Sequence, residues 1–88
     1  MILPIFALVT MYGSTGNRMA DGRYPFVGDA ACPRAIPLET MILVDDMPFI
    51  CTDRTSRSVD GRYDLYSTGT VKEMDQWGKK LEKIEIME

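Results

Sequence analysis

The sequence predicts a mostly β fold, a small closed barrel of about six strands with one short helix. Three observations point there. Apolar and β-branched runs of strand length recur along the chain, separated by Gly, Asp and Pro turn signals. Only one segment has helical spacing, whereas parallel βα units would need several. Finally, 88 residues without repeats, linkers or low-complexity stretches allow a single domain, residues 1–88. Closing its sheet hides the edges that a small sheet would otherwise leave open.

The elements follow in chain order. Residues 2–12 read as a buried first strand, with Pro4 tolerated near its start. Gly13-Ser14-Thr15-Gly16-Asn17 reads as a loop and Asp21-Gly22 as a turn. A short strand is expected around Phe26 and Val27, leading into Gly28-Asp29-Ala30-Ala31-Cys32-Pro33. Pro33 and Pro37 bracket a segment that cannot be helical. Met41-Ile42-Leu43-Val44 and Phe49-Ile50-Cys51-Thr52 read as a hairpin about the polar turn Asp45-Asp46. Alternation along the second of these strands puts Phe49, Cys51 and Asp53 on one face. Residues 54–61 read as a loop, closed by Asp60-Gly61 before the strand Arg62-Tyr63-Asp64-Leu65-Tyr66. Thr70 and Glu73 form a capping box for a helix whose Val71, Met74 and Trp77 share a face, with Gly78 at its end. That spacing assigns Trp77 to packing rather than to ligand stacking. Residues 83–87 alternate into a last strand.

Composition removes several classes of function. Ten basic against thirteen acidic residues give a net charge of −3, against a phosphate-tracking nucleic-acid binder. Histidine is absent, which removes Ser-His and Cys-His nucleophiles and histidine-ligated metals. No cofactor and no metal site are expected; Asp45-Asp46 reads more simply as a solvated turn than as a cation site. The N-terminal apolar run lacks a basic n-region and is too short to span a bilayer, so synthesis in the cytoplasm without a signal peptide or membrane span is expected. Cys32 and Cys51 cannot form a structural zinc site; buried apolar thiols and a disulfide both remain open to them.

Chemistry must then run on carboxylates, thiols or hydroxyls. Asp53 ends a strand and Asp64 lies within one, eleven residues on. Tyr63 and Tyr66 flank Asp64, and partial desolvation there would favour the protonated form that suits a general acid. The plainer alternative has Asp53 capping the loop and Asp64 facing solvent.

A series of short segments resembles a known family. Residues 31–40, Ala31-Cys32-Pro33-Arg34-Ala35-Ile36-Pro37-Leu38-Glu39-Thr40, look like the A-D-P-x-x-I-P-L-G-T segment of the 3D domain, named for three aspartates. Thr52-Asp53-Arg54-Thr55 is similar to its D-T-G-G segment, and Gly61-Arg62-Tyr63-Asp64-Leu65-Tyr66 to its G-N-R-I-D-I-Y strand, with the spacing kept. Thr10-Met11-Tyr12, Met19-Ala20-Asp21-Gly22 and Trp77-Gly78-Lys79-Lys80 resemble its T-x-Y, T-A-S-G and F-G-R-R. The resemblance spans residues 8–87 and implies a double-psi β-barrel with a carbohydrate-facing groove, as in membrane-bound lytic murein transglycosylases and expansin-like proteins. It implies Asp64 as general acid and base on the MurNAc–GlcNAc bond of peptidoglycan, with Asp53 beside it. Thr10, Tyr12 and Cys32 would line the substrate groove, and Tyr12 would offer a stacking face. The family's first aspartate is Cys32 here, its turn glycine is Glu39, and the glycines after its second aspartate are Thr55 and Ser56. The alternative is therefore a non-catalytic barrel module that binds carbohydrate or a protein partner in a larger assembly. Action at the cell wall by another export route, or as a phage-encoded virion component, is expected of either form.

Overall fold

The structure, a computed structural model, describes residues 4–13, 16, 18–59 and 61–87, with the side chains of Val59, Val71 and Asp75 not among them. Ile2 and Leu3 of the expected first strand, Ser14, Thr15 and Asn17 of the loop after it, and Asp60 lie outside these residues.

Six strands close into one barrel: β1 (Ile5–Tyr12), β2 (Asp29–Cys32), β3 (Met41–Val44), β4 (Met47–Arg54), β5 (Tyr63–Tyr66) and β6 (Lys80–Ile86). Around the barrel they run β1-β5-β2-β4-β3-β6, with β6 returning to β1. The pairs β1/β5 and β2/β4 are parallel, and the other four are antiparallel. The expected fold class, mostly β with one short helix, is the observed one.

Alternation sets the two faces of each strand. Val9 of β1, Ala30 and Cys32 of β2, Ile42 and Val44 of β3, Tyr63 and Leu65 of β5, and Ile84 of β6 point into the core. Thr10, Tyr12, Ala31 and Asp64 are out of phase with these neighbours and face outward. Cys32 and Cys51 are joined in a disulfide, with Cα atoms 5.7 Å apart and both side chains fully buried. The bond ties β2 to β4 inside the barrel.

The β3–β4 hairpin turns on Asp45 and Asp46, with φ of 48° and 70°. Both residues are left-handed, as a two-residue turn matching strand twist requires. The helix α1 (Val71–Trp77) carries the expected capping box, Thr70 and Glu73 each accepting from the other's backbone N–H. Trp77 packs against the core and Lys80 lies over its ring at 4.6 Å, so the packing role expected of it is the observed one.

Two local expectations need correction. Phe26 and Val27 do not form a strand; they sit exposed in the turn before β2. Gly28 adopts φ 105° there, and the Asp29 carboxylate accepts from the Phe26 N–H, so the chain is turned rather than extended. Nor does Asp53 share a face with Phe49 and Cys51. The ladder pairs Ala30 with Cys51 but Ala31 with Asp53, leaving Thr52 as an extra residue on β4. This bulge inverts the phase of the strand: Cys51 points inward, and Asp53 turns outward beside Ala31.

Candidate active site

Register gathers the site. Thr10 pairs with Asp64 across β1/β5, Asp64 with Ala31 across β5/β2, and Ala31 with Asp53 across β2/β4. The four residues form one row over four adjacent strands on the outer face. Two strand spacings separate the aspartates, roughly 9–10 Å between their Cα atoms. Ala31 lies between them, and its methyl group leaves the floor low. Above this row is a cleft of about 360 Å³, lined also by Tyr12, Arg54, Thr55, Ser56 and Arg62.

Asp64 is half-buried, and its Oδ1 accepts from the Thr10 hydroxyl at 2.8 Å. Burial raises its pKa above the ordinary carboxylate value; the Thr10 hydrogen bond opposes this, and the charge of Asp53 adds to it. Asp53 is fixed by its neighbours: its Oδ1 accepts the backbone N–H of Ala20 at 3.0 Å and of Arg54 at 2.8 Å. The turn around Asp21 is also held to β4 by the Asp21 N–H on the Thr52 carbonyl. The bulge and this turn together aim Asp53 into the cleft.

Tyr12 follows Thr10 by two residues and so shares its face. Its ring meets that of Tyr66 at 70° with centroids 5.4 Å apart. Its hydroxyl is buried and has no hydrogen-bond partner among the described residues. Burial first, then the charges of Asp53, Asp29 and Asp64, push its pKa up, so the phenol stays protonated. Tyr12 therefore brings a desolvated O–H donor to the site.

Thr10, Tyr12, Asp53 and Asp64 come together as the sequence suggests. Cys32 does not. It points into the core and is bonded to Cys51, on the opposite side of β2 from the cleft, because it is one residue out of phase with Ala31. A carboxylate at that position would be an unpaired buried charge.

Sequence reading missed the rest of the lining. Arg54 belongs to β4 rather than to a loop, and its Nη1 donates to the carbonyls of Pro33, at 2.9 Å, and Ile36. Arg62 stands two residues before Asp64, just ahead of β5, and lines the same cleft, a signal that period-two spacing could have supplied. Asp29 is buried and was also missed, but it is satisfied by Thr52 Oγ1 and the Phe26 N–H, each at 3.0 Å, with Arg23 at 3.4 Å. It supports the bulge rather than the cleft.

No family model, curated protein or solved structure matches the chain. Among the described residues no helix is long and apolar enough to cross a membrane. The chain is thus placed by its fold and its cleft, a closed six-stranded mixed β-barrel bearing two carboxylates on one outer row.

Proposed function

We propose that this barrel is of the double-psi, 3D-domain type and cleaves the MurNAc–GlcNAc bond of peptidoglycan, with Asp64 as general acid and then base. The observation that carries the reading is Asp64 itself, a half-buried carboxyl held by Thr10 in an open cleft, with its pKa raised and a second carboxylate on the same row. A carboxyl whose pKa is raised keeps its proton to a higher pH than an ordinary one and can deliver it.

Three further features support the resemblance. Six strands with two parallel pairs are compatible with a double-psi barrel. The segments similar to the family's second and third aspartate motifs converge on one cleft. Glu39, where the family has glycine, adopts φ 74°, the left-handed conformation that glycine suits.

In the proposed reaction Asp64 gives its proton to the glycosidic oxygen as the C1–O bond breaks and positive charge develops on the ring. The charge of Asp53 helps Asp64 keep its proton until then and faces the developing cation. The sugar's C6 hydroxyl closes onto C1 and returns its proton to Asp64, giving a 1,6-anhydro end. A hydrolytic route would have Asp53 activate water from a carboxyl separation of roughly 6.5–9.5 Å. The buried disulfide suits an oxidising compartment, and we propose that the protein acts at the cell wall, after export or within a virion.

A specific observation favours a second reading, a binding module without catalysis: the residue at the family's first aspartate is locked in the core as Cys32, so one member of the trio is missing. Mass spectrometry of fragments released from purified sacculi separates the readings. Anhydro-muropeptides are the expected product. Reducing ends would move the reaction to hydrolysis, and intact sacculi with folded protein bound would establish the module.

A further inference from the structure

Two apolar patches lie on the outside of the barrel, away from the cleft. On the β1/β6 ladder Leu8 pairs with Leu81, and Phe6 follows on the same outer face beside Lys83. Phe6 and Leu81 are 68% and 67% exposed, so they project from the strands that carry them. The second patch is recessed. Phe26 and Val27 of the turn before β2, Met41 of β3, and Pro48 and Ile50 of β4 line a groove of about 300 Å³. Phe26 and Val27 are 60% and 64% exposed although both are apolar. Each patch shows roughly 300–400 Å² of apolar side chain, the size of the largest patch on an ordinary monomer, and this small chain carries two. Covering them strands no lone charge. Arg23 at the rim of the groove is held by Asp21 at 2.9 Å and Asp29 at 3.4 Å, and Lys83 is held by Asp46 and Glu85.

We propose that the chain assembles head to tail, with Phe6, Leu8 and Leu81 of one copy seated in the groove of the next. One patch projects and the other is hollow, so they complement each other rather than themselves. Their places in the fold set the symmetry. β1 and β4 are three steps apart in the closed ring of six strands, on opposite sides of it. Two copies therefore cannot bury both patches in each other, as a two-fold dimer would require. Every added copy leaves a fresh projection and a fresh groove, and a chain or a ring results. The contact would cover roughly 700 Å² of apolar surface; with interfaces a little over half apolar, that means roughly 1,200 Å² in all, the lower end of specific interfaces. The row that forms the cleft is centred on β5 and β2, apart from both patches, so the cleft stays open in the assembly. The inference is independent of the reaction proposed above.

The test is the mass of the full chain in solution, by sedimentation from about 10 μM to about 1 mM. The proposal expects the weight-average mass to climb past about twice that of the monomer. F6E spoils the projection and M41E spoils the groove, and each variant alone should stay monomeric. V27E, in a turn, is the second groove variant should circular dichroism show that M41E fails to fold. Mixed one to one, F6E and the folded groove variant should form dimers and nothing larger. Such a mixture holds one working projection and one working groove per pair. A wild-type chain that stays monomeric at about 1 mM, or stops at a dimer, would overturn the proposal. Assembly that F6E abolishes and both groove variants keep would also overturn it, since the projections would then be meeting each other. So would a mixture of folded variants that remains monomeric.

Discussion

Burial raises the pKa of Asp64, the Thr10 hydroxyl opposes the rise, and the charge of Asp53 adds to it. Each influence belongs to a separate side chain and can be removed. T10V takes away the one hydrogen bond that favours the charged form, so the Asp64 pKa should climb further, read from its carboxyl carbon in an NMR titration; a fall would contradict the assignment. D53N should move it the other way. The stability consequence has a definite sign. A carboxyl whose folded pKa exceeds its unfolded one binds protons more tightly when folded, so its contribution is largest at low pH and is lost as pH rises through the raised value. At pH 7 Asp64 therefore costs stability, and D64N should unfold at the same temperature as wild type or a few degrees higher. A residue that lowers stability for the sake of its charge state is typical of a functional site.

At the scale of elements, one inserted residue decides the site. Regular alternation along β4 would turn Asp53 into the barrel with Cys51; the bulge at Thr52 turns it out to the cleft. The hairpin, the capped helix and the strand bearing Asp64 were legible because turn residues and the capping box act locally. The bulge was not, because it is a mismatch between strands distant in sequence. Cys32 was misplaced for the same reason: its phase depends on which face β2 turns inward, and Ala31 beside it looks equally apolar. Phe26 and Val27 have side chains of strand type, but among the described residues no strand lies beside them to pair with. Glu39 offers a test at this scale. Its left-handed backbone costs about 1–2 kcal/mol in a non-glycine residue, so E39G should stabilise the fold by roughly 0.5–1 kcal/mol after glycine's own entropy cost. Urea unfolding would show it; a destabilised variant would mean that the Glu39 side chain makes a compensating contact.

For the whole molecule, a Cα radius of gyration of 12.1 Å equals the value of about 12 Å expected of a compact chain this long. So small a core is helped by a staple, and the disulfide between residues 19 apart in sequence closes the β2–β4 layer beneath the cleft. Reduction should cost about 2–4 kcal/mol, seen as a lower urea midpoint in the presence of a phosphine reductant, and an unchanged midpoint would show that the bond adds nothing. Because Ala31 precedes Cys32 and the Thr52 bulge follows Cys51, loosening the staple should loosen the floor of the cleft as well. The account as a whole depends on Asp64 as proton donor. The most direct measurement is fragment release from sacculi by wild type and D64N side by side, with thermal midpoints recorded for both. The account predicts soluble fragments from wild type and a loss of at least about 100-fold in D64N at an equal or higher midpoint. Release by a well-folded D64N at the wild-type rate would contradict it.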